Sequence, residues 1–376
     1  MTVTRLVGDS RDVLATLPEK HFHCCVTSPP YFGLRNYGGG DREIGTETTL
    51  DCMAWATGAE RCNACYVCSI MAVCDGVWQV LRDDGCFFLN IADSYADKNI
   101  CLVPSRLALA LQAAGWYVRC DIIWSKPNPM PESVTDRPTK SHEYVWMLTK
   151  SERYYYDHVA IRESNTQGTI DRLTSGPIHA IKAQGTKAAL LCGVGGKEYV
   201  VADGRNKRSV WEINTRPCSE AHFAVMPPKL VEPCLLAATS QKGCCGTCGA
   251  PWNRVTKPIR EHGLAEASYP KTDGLDAQNG HKRLHMRLKA ARAAGEAHDN
   301  ALGGKETIGW EATCKCADAT IQPCRCLDPF GGSGTVGLVA AEHGRDCTLI
   351  DLVPHNMEII AVNRLKRVQP RLALEA

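Results

Sequence analysis

No apolar run in this sequence of 376 residues approaches the roughly 18 residues that a membrane-spanning helix needs. Its opening residues, MTVTRLVGDS, contain no apolar signal region. Both absences make a cytoplasmic chain the expectation. An excess of one charge is missing as well: 43 Lys and Arg stand against 41 Asp and Glu, for a net charge of +2. A protein that grips nucleic acid through bulk charge would be strongly basic. Contact with a polyanion would have to come from local patches. His281–Arg292 and Arg205–Arg208 are the candidates, and a solvated face is the competing reading of each. Repeats and low-complexity tracts are absent, which sets aside a repeat architecture.

Cysteine, by contrast, is abundant. There are 21, an odd number, spread along the whole chain. A secreted disulfide scaffold would be shorter, so mostly reduced thiols with a few metal ligands are expected.

Hydrophobic periodicity divides the chain. Short apolar strands at Thr4–Val7, His23–Thr27, Cys86–Ile91, Tyr117–Trp124 and Glu143–Leu148 alternate with helical stretches at Arg11–Leu17, about Thr48–Leu81 and Pro104–Ala114. This alternation predicts a doubly wound, mostly parallel α/β sheet. Regularity fades between about Asp157 and Arg216, returns in a helix at Pro228–Ala238, and fades again from Lys242 to Pro323. The end of the chain reads βαβα: strand Arg325–Leu327, helix Thr335–His343, strand Cys347–Ile350, helix Pro354–Val368. The expected segments are residues 1–156, a loop-rich recognition region over 157–216, a helix-bearing segment over 217–241, a cysteine-bounded insertion over 242–323 and residues 324–376.

Two turns carry the chemistry. Asp328-Pro329-Phe330-Gly331-Gly332-Ser333-Gly334-Thr335 joins a strand to a helix. Its glycines allow close backbone approach to a ligand, at the strand end where open α/β sheets bind cofactors. No lysine follows Gly334, so it is not a phosphate-binding P-loop. Asp351 ends the next strand and could accept from ribose hydroxyls. Together Asp328 and Asp351 disfavour a pyrophosphate and suit a cationic sulfonium cofactor. The second turn, Thr27-Ser28-Pro29-Pro30-Tyr31, leaves a strand directly. Its prolines fix φ and remove two donors, leaving carbonyls rigid and free to accept. Ser28 Oγ and the Pro29 carbonyl could take both N–H bonds of one amino group, and Tyr31 offers a flat face to a base. An amine held so, out of the ring plane, has its lone pair relocalised for in-line attack on a methyl group, with positioning and electrostatics as the catalysis.

On these two motifs, in this order, the chain resembles the β-group of DNA amino-methyltransferases. The fold implied is a circularly permuted, Rossmann-like class I methyltransferase with target-recognition and zinc-ribbon-like insertions. The resemblance implies that residues 1–156 are a catalytic half, 217–241 a cofactor-side helix and 324–376 a cofactor-binding half. Gly8-Asp9-Ser10, Leu89–Ser94, Trp124–Asn128, Lys140–Tyr144, Arg205–Trp211 and His222–Leu230 resemble further family segments. The resemblance implies S-adenosylmethionine as cofactor and double-stranded DNA as partner, with the target base flipped out of the duplex. It makes Ser28, Pro29, Pro30 and Tyr31 the catalytic positions. Asp9, Asp328, Phe330, Gly331, Gly332, Gly334, Thr335 and Asp351 become the cofactor positions. Serine before Pro-Pro-Tyr favours cytosine N4 as target, with adenine N6 as the alternative. RNA or protein methylation and a non-catalytic zinc DNA-binding module are more remote. The recognition sequence has no readable code, and a dimer and a restriction–modification setting are both compatible with the chain.

Cys245 and Cys248 form a C-x2-C pair whose expected partner is Cys314-Lys-Cys316, and four thiolates suit a tetrahedral structural zinc. Cys244, Cys324 and Cys326 are rival ligands. Cys62, Cys65 and Cys68, with Cys52 and Cys74 nearby, fall on a drifting stripe of the helix read over Thr48–Leu81 and are expected to be core thiols.

Overall fold

Eight strands build the main sheet: β1 (Val3–Val7), β2 (Phe22–Thr27), β3 (Leu81–Ile91), β4 (Tyr117–Ser125), β5 (His142–Thr149), β6 (Val210–Glu212), β7 (Arg325–Asp328) and β8 (Asp346–Asp351). The computed structural model describes residues 1–164, 204–215, 225–258, 305–317, 320–357 and 361–366. Spatial order in the sheet is β1-β8-β7-β2-β3-β5-β4-β6. β7 and β8, from the end of the chain, are thus inserted between β1 and β2 from its beginning, which is the permuted order expected. β1, β8, β7, β2 and β3 are parallel, whereas β5 runs antiparallel to both β3 and β4. β6 is parallel to β4, and two antiparallel pairings in succession return β4 to the direction of β3, so β5 is the one reversed strand of the eight and the sheet is mostly parallel, as expected.

Burial follows from this placement. β2 is buried along its whole length, as a strand covered on both faces must be. Successive side chains point to opposite faces, so Cys25 and Phe87 join one core while Cys24 and Phe88 join the other. On the first face lie α1 (Ser10–Leu14), α2 (Tyr66–Val80) and α3 (Val103–Ala113), with Tyr66, Ile70, Leu107 and Leu111 fully buried. Pro104 sits in the first turn of α3, where a missing N–H costs nothing. On the second face lie α4 (Pro228–Ala238) and α5 (Thr335–Glu342), packed through Leu230, Leu235, Val336 and Val339. The described part of the closing helix is α6 (Ala361–Leu365).

The helix expected over Thr48–Leu81 is not continuous. A four-residue helix at Ala54–Thr57 stops at Gly58 in the left-handed region, α2 begins only at Tyr66, and Leu81 already opens β3. Left-handed backbone at Met53 and Asn63 as well breaks the helical period between Cys52 and Cys65.

The chain divides into two compact units. One comprises Met1–Ile161, Asn206–Arg254 and Trp310–Ala376, and the other Arg162–Arg205 and Val255–Gly309. The first contains the main sheet. In the second, Glu163 and Arg205 exchange backbone hydrogen bonds at 2.9 Å and form an ion pair at 2.9 Å. The basic stretch His281–Arg292 and the segment His222–Ala224 lie outside the described residues. Among the described residues no helix is long and apolar enough to cross a membrane.

Candidate active site

Parallel pairing of β7 with β2 registers Leu327 against Cys25, so the Asp328 turn and the Ser28 turn leave adjacent strands at the same edge. Here the strand order reverses, with β8 and β1 on one side and β3 on the other, which is where open α/β sheets form their ligand crevice. A direct bond joins the two motifs: Thr27 Oγ1 donates to Asp328 Oδ1 at 2.6 Å. Ser10 Oγ donates to the Pro329 carbonyl and ties in the segment after β1. The result is one cavity of about 870 Å³ lined by Ser28, Pro29, Pro30 and Tyr31 together with Asp9, Asp328, Phe330, Gly331, Gly332, Thr335 and Asp351. That volume lies toward the upper end of ligand pockets.

Gly334, expected among the cofactor positions, does not line the cavity. Its φ of +75° lets the chain enter α5, and its N–H donates to the Gly331 carbonyl at 2.7 Å. Asp351 is more than a strand end. Its carboxylate accepts from Gly332 N and Val353 N, each at 2.8 Å, and from Asn356 Nδ2 at 3.0 Å. It therefore holds the glycine turn in shape, and burial raises its pKa above the ordinary carboxylate value despite these bonds. Asp328 is buried as well. Desolvation, helped by the charge of Asp351, lifts its carboxyl to about 7, against the opposing hydrogen bonds from Thr27 and the Phe330 N–H. Asp9 lies at the cavity wall with both oxygens engaged by Arg11 and Arg42. Burial works to raise its pKa, and these bonds outweigh burial and hold it below the usual value.

A network absent from the sequence reading organises the Ser-Pro-Pro-Tyr side. Tyr31 Oη donates to Glu143 Oε2 at 2.6 Å and accepts from Asn90 Nδ2 at 3.2 Å. Asn90 Nδ2 also donates to Glu143 at 2.7 Å, and Lys126 Nζ pairs with the other carboxylate oxygen. With the tyrosine O–H donated to Glu143, the 3.2 Å contact between Ser28 Oγ and Tyr31 Oη leaves Ser28 as donor. Both lone pairs of Ser28 Oγ are then open. Asn90 Oδ1 is buried in the same wall with no hydrogen-bond partner, an acceptor left for a bound group. Burial, reinforced by Glu143, pushes the Tyr31 phenol well above its ordinary pKa, so Tyr31 stays neutral. Its hydroxyl is committed to this network, a role added to the stacking face expected of it. Sequence alone gives Glu143 no role of its own, because its partner Tyr31 lies 112 residues away in another strand connection. The available signal was a carboxylate inside an apolar strand, which burial obliges to be paired.

The sulfurs of Cys245, Cys248, Cys314 and Cys316 lie within 4.8 Å of one another. Backbone N–H groups of Cys248 and Thr247 point at Cys245 Sγ and lower that thiol to about 6. The group sits at the opposite edge of the sheet from the cavity: His23 Nε2, at the start of β2, bonds the Gly249 carbonyl at 2.8 Å, and Arg82 bonds the Cys248 carbonyl at 2.9 Å. The rivals fall elsewhere. Cys326 is buried in β7, and Cys244 and Cys324 meet His23 in a separate buried trio. His23 Nδ1 there accepts from Arg325 N at 3.0 Å, so both ring nitrogens are already used.

The PvuII DNA methyltransferase (cytosine-N4-specific) shares the fold, with a TM-score of 0.51 at 14% identity over 98% of this chain and 91% of that one. The fold is that of class I S-adenosylmethionine-dependent DNA methyltransferases. Residues 22–245 match the N6/N4 methyltransferase family model, described as DNA methylase. The type II methyltransferase M.Cfr9I of Citrobacter freundii is 36% identical over 63% of this chain and 72% of its own length. M.SmaI of Serratia marcescens is 35% identical over 63% and 76%. The chain belongs to this family: it is a DNA amino-methyltransferase related to the type II modification enzymes.

Proposed function

We propose that the protein transfers a methyl group from S-adenosylmethionine to cytosine N4 in double-stranded DNA, with the target base flipped into the cavity. The observation that carries this reading is Ser28 Oγ, oriented by Tyr31 with its lone pairs open, in the same cavity as the Asp351-capped glycine turn. Ser28 Oγ and the Pro29 carbonyl accept the two amine N–H bonds and so raise the nucleophilicity of the nitrogen. Serine where adenine enzymes of this group commonly carry aspartate favours cytosine. The test is incubation with unmethylated duplex DNA and labelled cofactor, followed by mass spectrometry of the nucleosides. N4-methylcytosine is expected, and N6-methyladenine as sole product overturns the base assignment.

The residues present fit the cofactor. Buried Asp328 and half-buried Asp351 place two carboxyl groups on the cavity wall, and the glycine turn admits close backbone approach. Bound, S-adenosylmethionine supplies an electrophilic methyl on a sulfonium. Asp328, Phe330, Gly331, Gly332 and Asp351 would hold it. A pH dependence follows. Asp328 titrates near 7 in this cavity, and a cation favours its ionised form. Binding below that pH must therefore displace a proton, whereas binding above it need not. Cofactor affinity should fall by up to about tenfold per pH unit below neutrality and level off above it. Isothermal titration at several pH values checks this, and a profile for Asp328→Asn as steep as that of the native protein would refute the assignment.

Cys245, Cys248, Cys314 and Cys316 are proposed to hold a structural zinc that closes the insertion between Gly249 and Thr313. Four sulfurs with backbone donors on Cys245 form the donor set such a site requires. Cys245→Ser should lose one zinc equivalent by elemental analysis. Unchanged metal content would count against the site.

A further inference from the structure

Where the helix expected over Thr48–Leu81 breaks, it leaves four cysteines together. The sulfurs of Cys52, Cys62, Cys65 and Cys68 lie within 4.8 Å of one another, with Cys52 and Cys68 at 3.5 Å. Four sulfurs placed tetrahedrally at a Zn–S distance of 2.3 Å would be about 3.8 Å apart, so the group is already near that size. It is not a disulfide pair, since 3.5 Å far exceeds the roughly 2.05 Å of an S–S bond. Nor is it wholly a set of core thiols. Cys65 and Cys68, like Cys74, join the core as expected, but Cys52 and Cys62 are exposed.

The backbone around the group has the form of a metal knuckle. Asn63 adopts a left-handed φ of 55° between Cys62 and Cys65. That turn aims the N–H groups of Ala64 and Cys65 at Cys62 Sγ. The same pattern occurs at Cys245, where Thr247 and Cys248 are the donors. Cys65 stands at the N-cap of the 15-residue helix α2 without a side-chain capping bond, and Cys68 follows in the first turn. Helix N-termini stabilise thiolates. Arg61, paired with Asp75, lies close enough to Cys68 for its charge to be felt there, which suits a site that four thiolates leave with net negative charge.

We infer that Cys52, Cys62, Cys65 and Cys68 bind a second structural zinc ion, independent of the Cys245 group. The ion would clamp the loop that follows the catalytic turn onto the start of α2. The consequence reaches the active site through one residue. Tyr66, next to Cys65, donates its hydroxyl to the Pro30 carbonyl at 2.8 Å, while Tyr66 N and Val67 N bond the carbonyls of Thr49 and Leu50 at 3.0 Å. A metal that anchors Cys65 therefore also fixes the backbone of the Ser-Pro-Pro-Tyr turn.

The test uses the full chain, expressed with zinc and dialysed against a weak chelator. Two zinc equivalents per chain are expected. Cys62→Ser and Cys245→Ser should each retain one, and Cys74→Ala, in α2 outside the group, should retain two. A cobalt-loaded sample should lose about half of its thiolate-to-metal absorption in Cys62→Ser. Should Cys62→Ser fail to fold, alkylation mapping of the native protein decides. Exposed Cys52 and Cys62 should resist alkylation until a strong chelator is added. Two equivalents in Cys62→Ser, prompt alkylation of Cys52 and Cys62 in the metal-loaded protein, or a disulfide within the group would overturn the inference.

Discussion

Replacing Ser28 with alanine is expected to slow methyl transfer by about 10²- to 10³-fold, the scale of losing one preorganised contact to developing charge. Cofactor affinity should stay within about twofold, because the contact strengthens only as the nitrogen becomes cationic. Tyr31 donates its O–H to Glu143 at 2.6 Å and accepts that of Ser28, so Ser28 Oγ faces the cavity with its lone pairs as acceptors. Alanine removes that acceptor and leaves the Pro29 carbonyl to hold one N–H bond alone. Single-turnover transfer to duplex DNA measures the effect. A rate for Ser28→Ala within about threefold of the native one would mean that the serine does not touch the reacting amine.

Asp351→Ala should weaken cofactor binding by about 10²-fold or more. Gly332 N and Val353 N each lose a 2.8 Å acceptor, and Asn356 loses a 3.0 Å one. A buried donor left without a partner costs about 1–3 kcal/mol, so two of them suffice to release the turn from its binding shape. The ribose contact expected of this carboxylate is lost in addition. Asp351→Asn should recover little, because one of its two positions would present an N–H to a backbone N–H. Calorimetric titration, with circular dichroism to verify folding, reads the result. Native-like affinity in a folded Asp351→Ala protein would show that the turn is held by other bonds.

Legibility differed between parts of the molecule for identifiable reasons. The strands at Phe22–Thr27 and Asp346–Asp351 were readable because central parallel strands are short apolar runs bounded by turn residues. Pro228–Ala238 was readable at both ends because paired prolines open it. The stretch from Thr48 to Leu81 misled because alanine, cysteine and methionine fit a helical period without enforcing one. The left-handed positions at Met53, Gly58 and Asn63 prevailed. Glu143, Asn90 and Lys126 escaped notice because no local pattern distinguishes a carboxylate that pairs with the next side chain from one that crosses to Tyr31.

From residue order alone came the permuted arrangement of the two motifs, the alternating strands and helices, the glycine turn with its acidic successor, and the pairing of C-x2-C with C-x-C as a proposed ligand set. Each is a property of a few adjacent residues or of a period, and such properties survive in one dimension. The tertiary structure alone decided that the turns after Thr27 and after Leu327 leave neighbouring parallel strands, that Tyr31 answers to Glu143, and that Cys52 meets Cys68. Those facts depend on which strands pair and where a helix breaks. Strand pairing and burial settle that competition over the whole chain, beyond the reach of any local pattern.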